Sequence, residues 1–197
     1  MNDPQIRKAF HKTFLRKHHC ESTTLVVDEL GLEHGKCRAD IAVINGHLIG
    51  YEIKSDVDSL TRLSSQINIY NAVFDNSSLI LTERHLEKAI RIIPDWWGVI
   101  LVTEITNNTV KFKQLKYPNQ NTKINNYSVA QLLWREEAQE VLMGLGIKGA
   151  RLREKRSNLY RYIVEMLDSQ YLRFIVREYL KKRQDWRHLS RLPLNGD

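Results

Sequence analysis

The N-terminal segment alternates apolar and polar positions with the period of a helix. Ile6, Phe10 and Phe14 fall on one helical face, and basic residues occupy the opposite one. Asp3 followed by Pro4 is typical of a helix start, because an Asp side chain caps free amides and proline at the first helical position loses no hydrogen bond. The pattern predicts an amphipathic helix over residues 4–18 with a basic outer side.

The next apolar runs have the two-residue period of strands. Three strands are predicted, over residues 23–30, 38–44 and 48–54. Gly35 and the pair Asn45-Gly46 mark the turns between them. These runs predict an antiparallel meander.

Helical spacing returns over residues 58–74, where Leu60, Leu63, Ile67 and Tyr70 share one face. A strand is then predicted over 77–81, a short helix over 85–92, and two strands over 98–103 and 109–115 around a turn at Asn107-Asn108. The polar run 117–126 is typical of a linker. It divides the chain into a domain over 1–124 and a helical extension over 125–197.

The extension carries its own helix signals. Ser128 and Gln131 have the spacing of a capping box, Gly144 is suited to end that helix, and Ser157 and Ser169 are candidate caps for two more. The order of elements predicts a mixed α/β fold: a central mixed sheet flanked by helices, with a C-terminal helical extension.

Charge and composition narrow the class of protein. The formal net charge is +7, concentrated in residues 7–17 and 151–191, which favours a polyanionic partner; a solvated basic face is the simple alternative. Cys20 and Cys37 are too few for a disulfide framework, so we expect reduced thiols. Because no apolar run approaches the roughly 18 residues that span a bilayer and no signal peptide is recognisable, the expected location is the cytoplasm.

The stretch RADIAVINGHLIGYEIKS holds the candidate chemistry. Asp40 lies on one predicted strand, and Glu52 with Lys54 lies on one face of the next. A two-residue loop at Asn45-Gly46 pairs Asp40 with Tyr51 and turns it away from the other two.

A three-residue loop of Ile44, Asn45 and Gly46, with Gly46 in the left-handed conformation, pairs Asp40 with Gly50 instead. Asp40 then lies diagonally next to Glu52, and the missing side chain at Gly50 leaves open space beside the carboxylates. The site requires this second register.

Two converging carboxylates suit a hard cation such as Mg²⁺ or Mn²⁺, which binds a few carboxylates, waters and substrate phosphate oxygens. Such an ion polarises a phosphodiester and lowers the pKa of a bound water. Lys54 on the same face can position or help deprotonate that water and offset the growing negative charge.

This ordered set resembles the PD-(D/E)XK nuclease superfamily, and within it the small stand-alone bacterial and phage nuclease-like proteins of the MmcB-like branch. The resemblance covers about residues 4–103 and implies a restriction-endonuclease-like core with metal-dependent phosphodiesterase activity on DNA. The superfamily has an Asp at the start of the second strand and Glu-x-Lys in the third, matching Asp40 and Glu52 with Lys54. Residue 39 is Ala where the motif name has Pro, a departure that many members share.

The resemblance also implies accessory residues. The backbone carbonyl of Ile53 is an expected extra metal ligand. An acidic residue from the first helix or its vicinity is common in the superfamily, and Glu29 is the nearest match, with Glu21 as the fallback. Some branches carry Q-x-x-x-Y in the next helix beside the site, and Gln66 and Tyr70 have that spacing.

Each assignment has an ordinary alternative. Glu-x-Lys alone is a common surface pair, Glu29 suits a strand end, and Gln66 and Tyr70 suit a helix face on which Tyr70 packs into the core. The histidines and cysteines His18, His19, Cys20, His34 and Cys37 match no established zinc finger, and no structural zinc is proposed. Trp96 and Trp97 are predicted to anchor the core at a strand start, with base stacking by an exposed ring as the alternative.

Nucleic-acid contacts are assigned to basic residues near the hairpin and in the extension: Lys36, Arg38, Arg62, Arg151, Arg153, Lys155 and Arg156. Alternatively, the apolar positions of the extension dock on the domain, on a second copy or on a partner protein; they are Leu159, Ile163, Leu167, Phe174 and Ile175. The sequence thus predicts a metal-dependent nuclease acting on nucleic acid, with DNA the expected substrate. The alternative is a non-catalytic nucleic-acid- or protein-binding module that keeps the nuclease fold.

Overall fold

The computed structural model describes residues 1–106 and 109–183. They contain a six-stranded sheet whose strands lie side by side in chain order, together with the helices that flank it. The strands are β1 (Leu25–Leu32), β2 (Cys37–Ile44), β3 (Leu48–Lys54), β4 (Asn76–Thr82), β5 (Gly98–Thr106) and β6 (Thr109–Lys116). The helices are α1 (Asp3–Lys12), α2 (Arg16–Cys20), α3 (Leu63–Val73), α4 (Glu83–Ile90), α5 (Asn126–Ala130), α6 (Arg135–Gly144), α7 (Arg156–Met166) and α8 (Ser169–Lys182). Short 3-10 helices cover Glu33–Gly35 and Gly149–Arg153.

The sheet is mixed. β1, β2 and β3 form the predicted antiparallel meander, β3, β4 and β5 run parallel, and β6 returns antiparallel to β5. Parallel neighbours need crossover connections, which α3 and α4 provide. The predicted mixed α/β fold with a C-terminal helical region is confirmed.

The predicted first helix is in fact two helices. α1 ends at Lys12, and the Thr13 hydroxyl donates to the Ala9 carbonyl at 2.8 Å, which competes with continuation of the helix. After the break Leu15 is fully buried, whereas Phe14 is 40% exposed. The start also differs by one residue, because Asn2 caps α1 and forms a capping box with Gln5.

Other helix boundaries differ from the predicted ones, because local side-chain hydrogen bonds favour turns or caps at those positions. The Asp58 carboxylate accepts the Ser55 amide at 2.8 Å, so α3 begins only at Leu63. The predicted Ser128 and Gln131 box is wrong: Asn125 caps α5.

The later helix starts and ends differ less from prediction. Gly144 is the last residue of α6, as predicted. The predicted caps Ser157 and Ser169 lie inside α7 and α8, and Asp168 caps α8. The predicted turn at Asn107-Asn108 and the basic residues beyond 183 lie outside the described residues.

Each face of the sheet carries its own apolar cluster. On one face α1 packs Ile6 and Phe10 against Ile41, Tyr51 and Ile53. On the other face α3 packs together with the C-terminal helices. The candidate site lies between these layers, at the C-terminal end of β3 and beside the N-terminal half of β2.

The C-terminal helices continue the second cluster. Leu159, Ile163, Leu172, Val176 and Leu180 are buried in it together with strand residues. Leu167 is also buried there and Ile175 is partly buried, whereas Phe174 is 50% exposed. Docking of this region on the sheet is therefore observed, while the boundary at residue 124 stays a prediction.

Trp97 anchors the start of β5, as predicted. Its side chain is fully buried, and its indole N–H donates to Asn71 Oδ1 at 2.9 Å. Trp96 is partly buried against the same cluster. Across the described residues, no helix has the length and apolar character needed to cross a membrane.

Candidate active site

The regular alternation of β2 is interrupted at Asp40. Ala39 faces the α3 side and Ile41 faces the α1 side, although regular alternation would put them on one face. Asp40 is therefore neither fully in one layer nor in the other. Irregular strand positions of this kind re-aim side chains and are frequent beside active sites.

β2 and β3 also separate at this point. Their pairing ends with Ile41 opposite Tyr51, and continuing the register puts Asp40 opposite Glu52. Asp40 Oδ2 accepts the Ile53 amide at 2.7 Å in place of a backbone bond. Because the amide and carbonyl of one strand residue point to the same side, the Ile53 carbonyl also faces β2 here.

The hairpin register differs from both registers considered from the sequence. Ile44 pairs with Leu48, so the loop is Asn45, Gly46 and His47, closed by a 3.0 Å bond from the Asn45 amide to the His47 carbonyl. Gly46 does not have the positive φ that the predicted left-handed conformation requires. The observed register is shifted by two residues from the predicted three-residue-loop register. A shift of two residues leaves paired side chains on the same face of the sheet.

The expected space at Gly50 is absent. Gly50 pairs with Ala42 rather than Asp40, and a Cβ built on it would lie 2.7 Å from the Phe74 ring. Phe74 fills the position that was expected to be open. The missing side chain serves close packing of α3 on β3, not a ligand.

Glu52 is the centre of a buried hydrogen-bonded cluster on the α3 side. Its Oε1 accepts from Lys54 Nζ at 2.6 Å and from Gln66 Nε2 at 2.5 Å, and its Oε2 accepts from the Tyr70 hydroxyl at 2.6 Å. Lys54 Nζ also donates to Gln66 Oε1 at 3.0 Å. Four residues singled out in the sequence are thus in direct contact.

Three of the four cluster residues are buried, and Gln66 is partly exposed. Glu52 is 1% exposed, Lys54 is 6% exposed and Tyr70 is fully buried. Burial, followed by the charge of Glu52, raises the pKa of the Tyr70 hydroxyl well above its ordinary value. Tyr70 is therefore a neutral donor that orients Glu52, and its ring packs in the core as the alternative reading expected.

Asp40 carries the clearest electrostatic perturbation of the site. Burial, and then the negative charge of Glu52, raise the pKa of Asp40 to about 7. The Ile53 amide and Arg7 oppose that rise. Near neutral pH a bound cation would therefore compete with a proton for this pair of carboxylates.

Arg7 links α1 to Asp40, a connection that the sequence did not reveal. Its guanidinium donates to the Asp40 carbonyl and, at 3.2 Å, to Asp40 Oδ1. Asp3 holds the same guanidinium at 3.0 Å from one helical turn away. The i,i+4 spacing of Asp3 and Arg7 was a readable signal, but nothing local indicated a contact 33 residues along the chain.

The strand acid nearest this network is Asp28. It lies 3.9 Å from Arg7, and its Oδ1 is 2.8 Å from His11 Nε2. His11 Nδ1 is 2.9 Å from His19 Nε2, which extends the chain of polar contacts to the surface. Sequence reasoning missed these residues because Asp28 and Glu29 are adjacent and only the backbone decides which one faces α1.

Glu29 is directed elsewhere. Its φ is 55°, in the left-handed region, and its carboxylate accepts from Arg38 at 3.2 Å with 43% of the side chain exposed. The fallback, Glu21, accepts from Thr24 at 2.7 Å at an exposed position. Neither of these two hydrogen bonds connects Glu29 or Glu21 to Asp40 or Glu52.

The donor set limits which metal could bind. Among residues 1–106 and 109–183, no group of three or more His, Cys, Asp or Glu side chains could hold a metal ion. Asp40 and Glu52 form a two-carboxylate set, which is how Mg²⁺ often binds, with waters and phosphate oxygens completing its shell. This chemistry fits a weakly held Mg²⁺ or Mn²⁺ and does not fit a closed structural metal site.

The predicted nucleic-acid contacts are on the surface. Lys36 pairs with Glu33 at 3.4 Å and Arg38 with Glu29, and Arg62 is exposed just before α3. The other predicted contacts are exposed near the start of α7; they are Arg151, Arg153, Lys155 and Arg156.

Comparison with known proteins gives a family. Protein cII of Enterobacteria phage P4 is 26% identical over 159 residues, or 81% of this chain and 58% of that protein, so the chain spans little more than half the length of this curated relative. A solved structure of a protein of unknown function from Silicibacter pomeroyi is similar over 76% of this chain and 97% of its own, with a TM-score of 0.46 and 14% identity. The family model described as bacteriophage P4 protein cII matches residues 1–192. The chain belongs to the bacteriophage P4 protein cII family.

Proposed function

We propose that this protein is a divalent-metal-dependent nuclease that hydrolyses phosphodiester bonds in DNA, with a site of the PD-(D/E)XK type on a restriction-endonuclease-like core. One observation carries the proposal. Glu52, Lys54, Gln66 and Tyr70 are joined by hydrogen bonds of 2.5 to 3.0 Å beside Asp40, where β2 and β3 separate. A solvated surface pair would not be buried in this way.

Each residue has a role in the proposed reaction. Asp40, Glu52 and the Ile53 carbonyl would hold Mg²⁺ or Mn²⁺, which would supply charge neutralisation and a water of lowered pKa. Gln66 and Tyr70 orient Glu52, and Gln66 also holds the Lys54 ammonium. Lys54 positions the attacking water and offsets negative charge on the phosphate. Arg7 fixes the Asp40 carboxylate from α1.

The test is cleavage of linear, circular and single-stranded DNA in Mg²⁺, Mn²⁺ or EDTA. We expect metal-dependent cleavage that is lost in Asp40→Asn, Glu52→Gln and Lys54→Met, by at least about 100-fold, since each removes a group that acts on the transition state. Glu87→Gln is the matched control, because Glu87 is an acid with an 84% exposed side chain on α4. Cleavage of the circle shows whether free ends are needed.

Contaminating nucleases are the main hazard, so all variants are purified identically and their folding is checked by thermal unfolding. Activity that survives in Asp40→Asn and Glu52→Gln would contradict the proposal. Loss in Glu87→Gln as well would show that the loss is not specific to the candidate site.

A non-catalytic binding module is the second candidate, and a specific observation favours it. Every carboxylate oxygen of Asp40 and Glu52 already accepts a hydrogen bond from the protein. A network satisfied internally needs no cation to be stable. Titration of the protein with Mn²⁺ separates the two functions: no bound Mn²⁺ and no cleavage favour the binding module.

A further inference from the structure

A cavity of about 320 Å³ opens beside the outer strand β1. Its walls come from the end of β1 and the following turn, from the start of α6, from the start of α7 and from the residue after α8. The lining residues used here are Gly31, His34, Trp134, Arg156 and Arg183. The volume is in the range of sites for small ligands or single nucleotides.

The cavity adjoins the candidate active site. Leu30 in its wall pairs with Ala39, the residue before Asp40, and Gly31 pairs with Arg38. One interstrand spacing and one or two residue steps put this wall within roughly 10 Å of Asp40. A chain molecule bound at Asp40 is therefore close enough to extend into the cavity.

The backbone of the cavity wall is strained. Glu33, His34 and Gly35 are consecutive and all left-handed, with φ of 45°, 58° and 89°. Non-glycine residues in this region are uncommon, and such strain is concentrated at ligand-binding sites. Here it holds the His34 ring stacked on Tyr160, with centroids 5.6 Å apart.

Positive charge from distant parts of the chain converges there. Burial, and after it the charges of Arg156 and Lys36, lower the pKa of His34. The neighbouring carboxylates are paired with cations, Glu33 with Lys36 at 3.4 Å and Glu137 with Arg183 at 2.6 Å. The cavity thus presents the Arg156 guanidinium and the His34 imidazole beside neutralised acids, which suits a phosphate.

One wall offers an aromatic surface. Trp134 is 51% exposed, and the Arg183 guanidinium lies 4.2 Å from its ring centroid, which fixes the ring. A fixed, exposed indole next to positive charge is the combination by which proteins hold unpaired bases. Gly31 and Gly35 add room, because a Cβ built on either would meet nothing within 4 Å.

We propose that this cavity binds one nucleotide of a single-stranded DNA segment, with the base stacked on Trp134 and the phosphate at Arg156 and His34. The inference rests on the proposed function, since the bound segment belongs to the strand that is cut at Asp40. Stacking on an aromatic ring tolerates any base, so we expect binding with little sequence preference.

The test measures fluorescence anisotropy of a fluorescein-labelled oligo-dT of about 12 nucleotides in EDTA, where no cleavage occurs. Trp134→Ala weakens binding about tenfold, and Trp134→Phe, which keeps a ring, retains most of the affinity. Arg156→Gln weakens binding and lowers the slope of log affinity against log salt by about 0.7. Tyr171→Ala and Arg91→Gln are the controls: Tyr171 is 49% exposed, about 18 Å along α8 from Arg183, and Arg91 has a 75% exposed side chain next to α4.

Unchanged affinity in both Trp134→Ala and Arg156→Gln, or no binding by the wild-type protein, overturns the proposal. Displacement of the oligonucleotide by thymidine monophosphate at equal concentration also overturns it, because the cavity then serves a free nucleotide. If the proposed nuclease function is wrong and the cavity site is right, the result is different. Binding is then lost selectively in the cavity variants, while the protein shows no metal-dependent cleavage. If Trp134→Ala does not fold, Trp134→Phe and Arg156→Gln still decide the matter.

Discussion

At the scale of single residues, the site depends on how buried charges are balanced. Glu52 and Lys54 neutralise each other inside the α3 layer; Gln66 donates a second hydrogen bond to the same Glu52 oxygen, and Tyr70 donates to the other. Removing one member of such a cluster leaves a buried group without a partner, which is costly. Asp40 differs, because Arg7 only partly offsets its burial and the charge of Glu52.

The pH dependence of stability tests this description of Asp40. The folded protein raises the pKa of Asp40 from 3.8 to about 7. Between about pH 4 and pH 7 the folded state therefore holds a proton that the unfolded chain has released, so the Asp40 contribution to stability decreases as pH rises through this window. Asp40→Asn removes this contribution, and we expect its stability relative to wild type to rise with pH across the window.

The measurement is the urea midpoint at several pH values in EDTA. Only the difference from wild type is interpreted, because other ionisable groups of the protein titrate in the same pH range. Glu87→Gln should follow the wild-type curve. A constant difference between Asp40→Asn and wild type would contradict the raised pKa.

At the scale of elements, the sequence predicted most strands to within two residues and β3 to the residue. The candidate cluster was also predictable: alternation along β3 puts Glu52 and Lys54 on one face, and the resemblance to the Q-x-x-x-Y pattern singled out Gln66 and Tyr70. The hairpin register was not. Loops that differ by one residue have similar turn signals, and we infer that packing of Phe74 over Gly50 selects the observed register.

Substitution of that glycine tests the explanation. Gly50→Ala puts a methyl group 2.7 Å from the Phe74 ring, and we expect a loss of about 1–3 kcal/mol in the free energy of unfolding. Gly46→Ala is the matched control in the hairpin loop, since a Cβ there meets nothing within 4 Å. Chemical denaturation measures both. Equal stability of the two variants would show that Phe74 yields and does not set the register.

At the scale of the whole molecule, the contacts that matter most join distant segments. Arg7 reaches Asp40, and Asp75 accepts the Leu48 amide at 2.7 Å while lying 3.8 Å from Arg173 of α8. Periodicity cannot reveal such contacts, because it reports which face of an element is apolar and not what covers it. For the same reason the polar run 117–126 was typical of a linker, although Asn121 is buried and its side chain donates to the carbonyls of Asn71 and Phe74.

Truncation tests whether the predicted domain boundary separates independent units. A chain ending at residue 124 loses α5 to α8, which bury Leu159, Tyr160, Leu172 and Val176 in the same cluster as the sheet. We expect this chain to lose cooperative thermal unfolding and to bind the dye ANS, because exposing that much core exceeds the marginal stability of a domain. A chain ending at residue 183, which keeps every described helix, is the chain with which it is compared. A cooperative transition in the shorter chain would establish residues 1–124 as a self-sufficient domain, and the helices would then be an accessory layer over a complete α/β core.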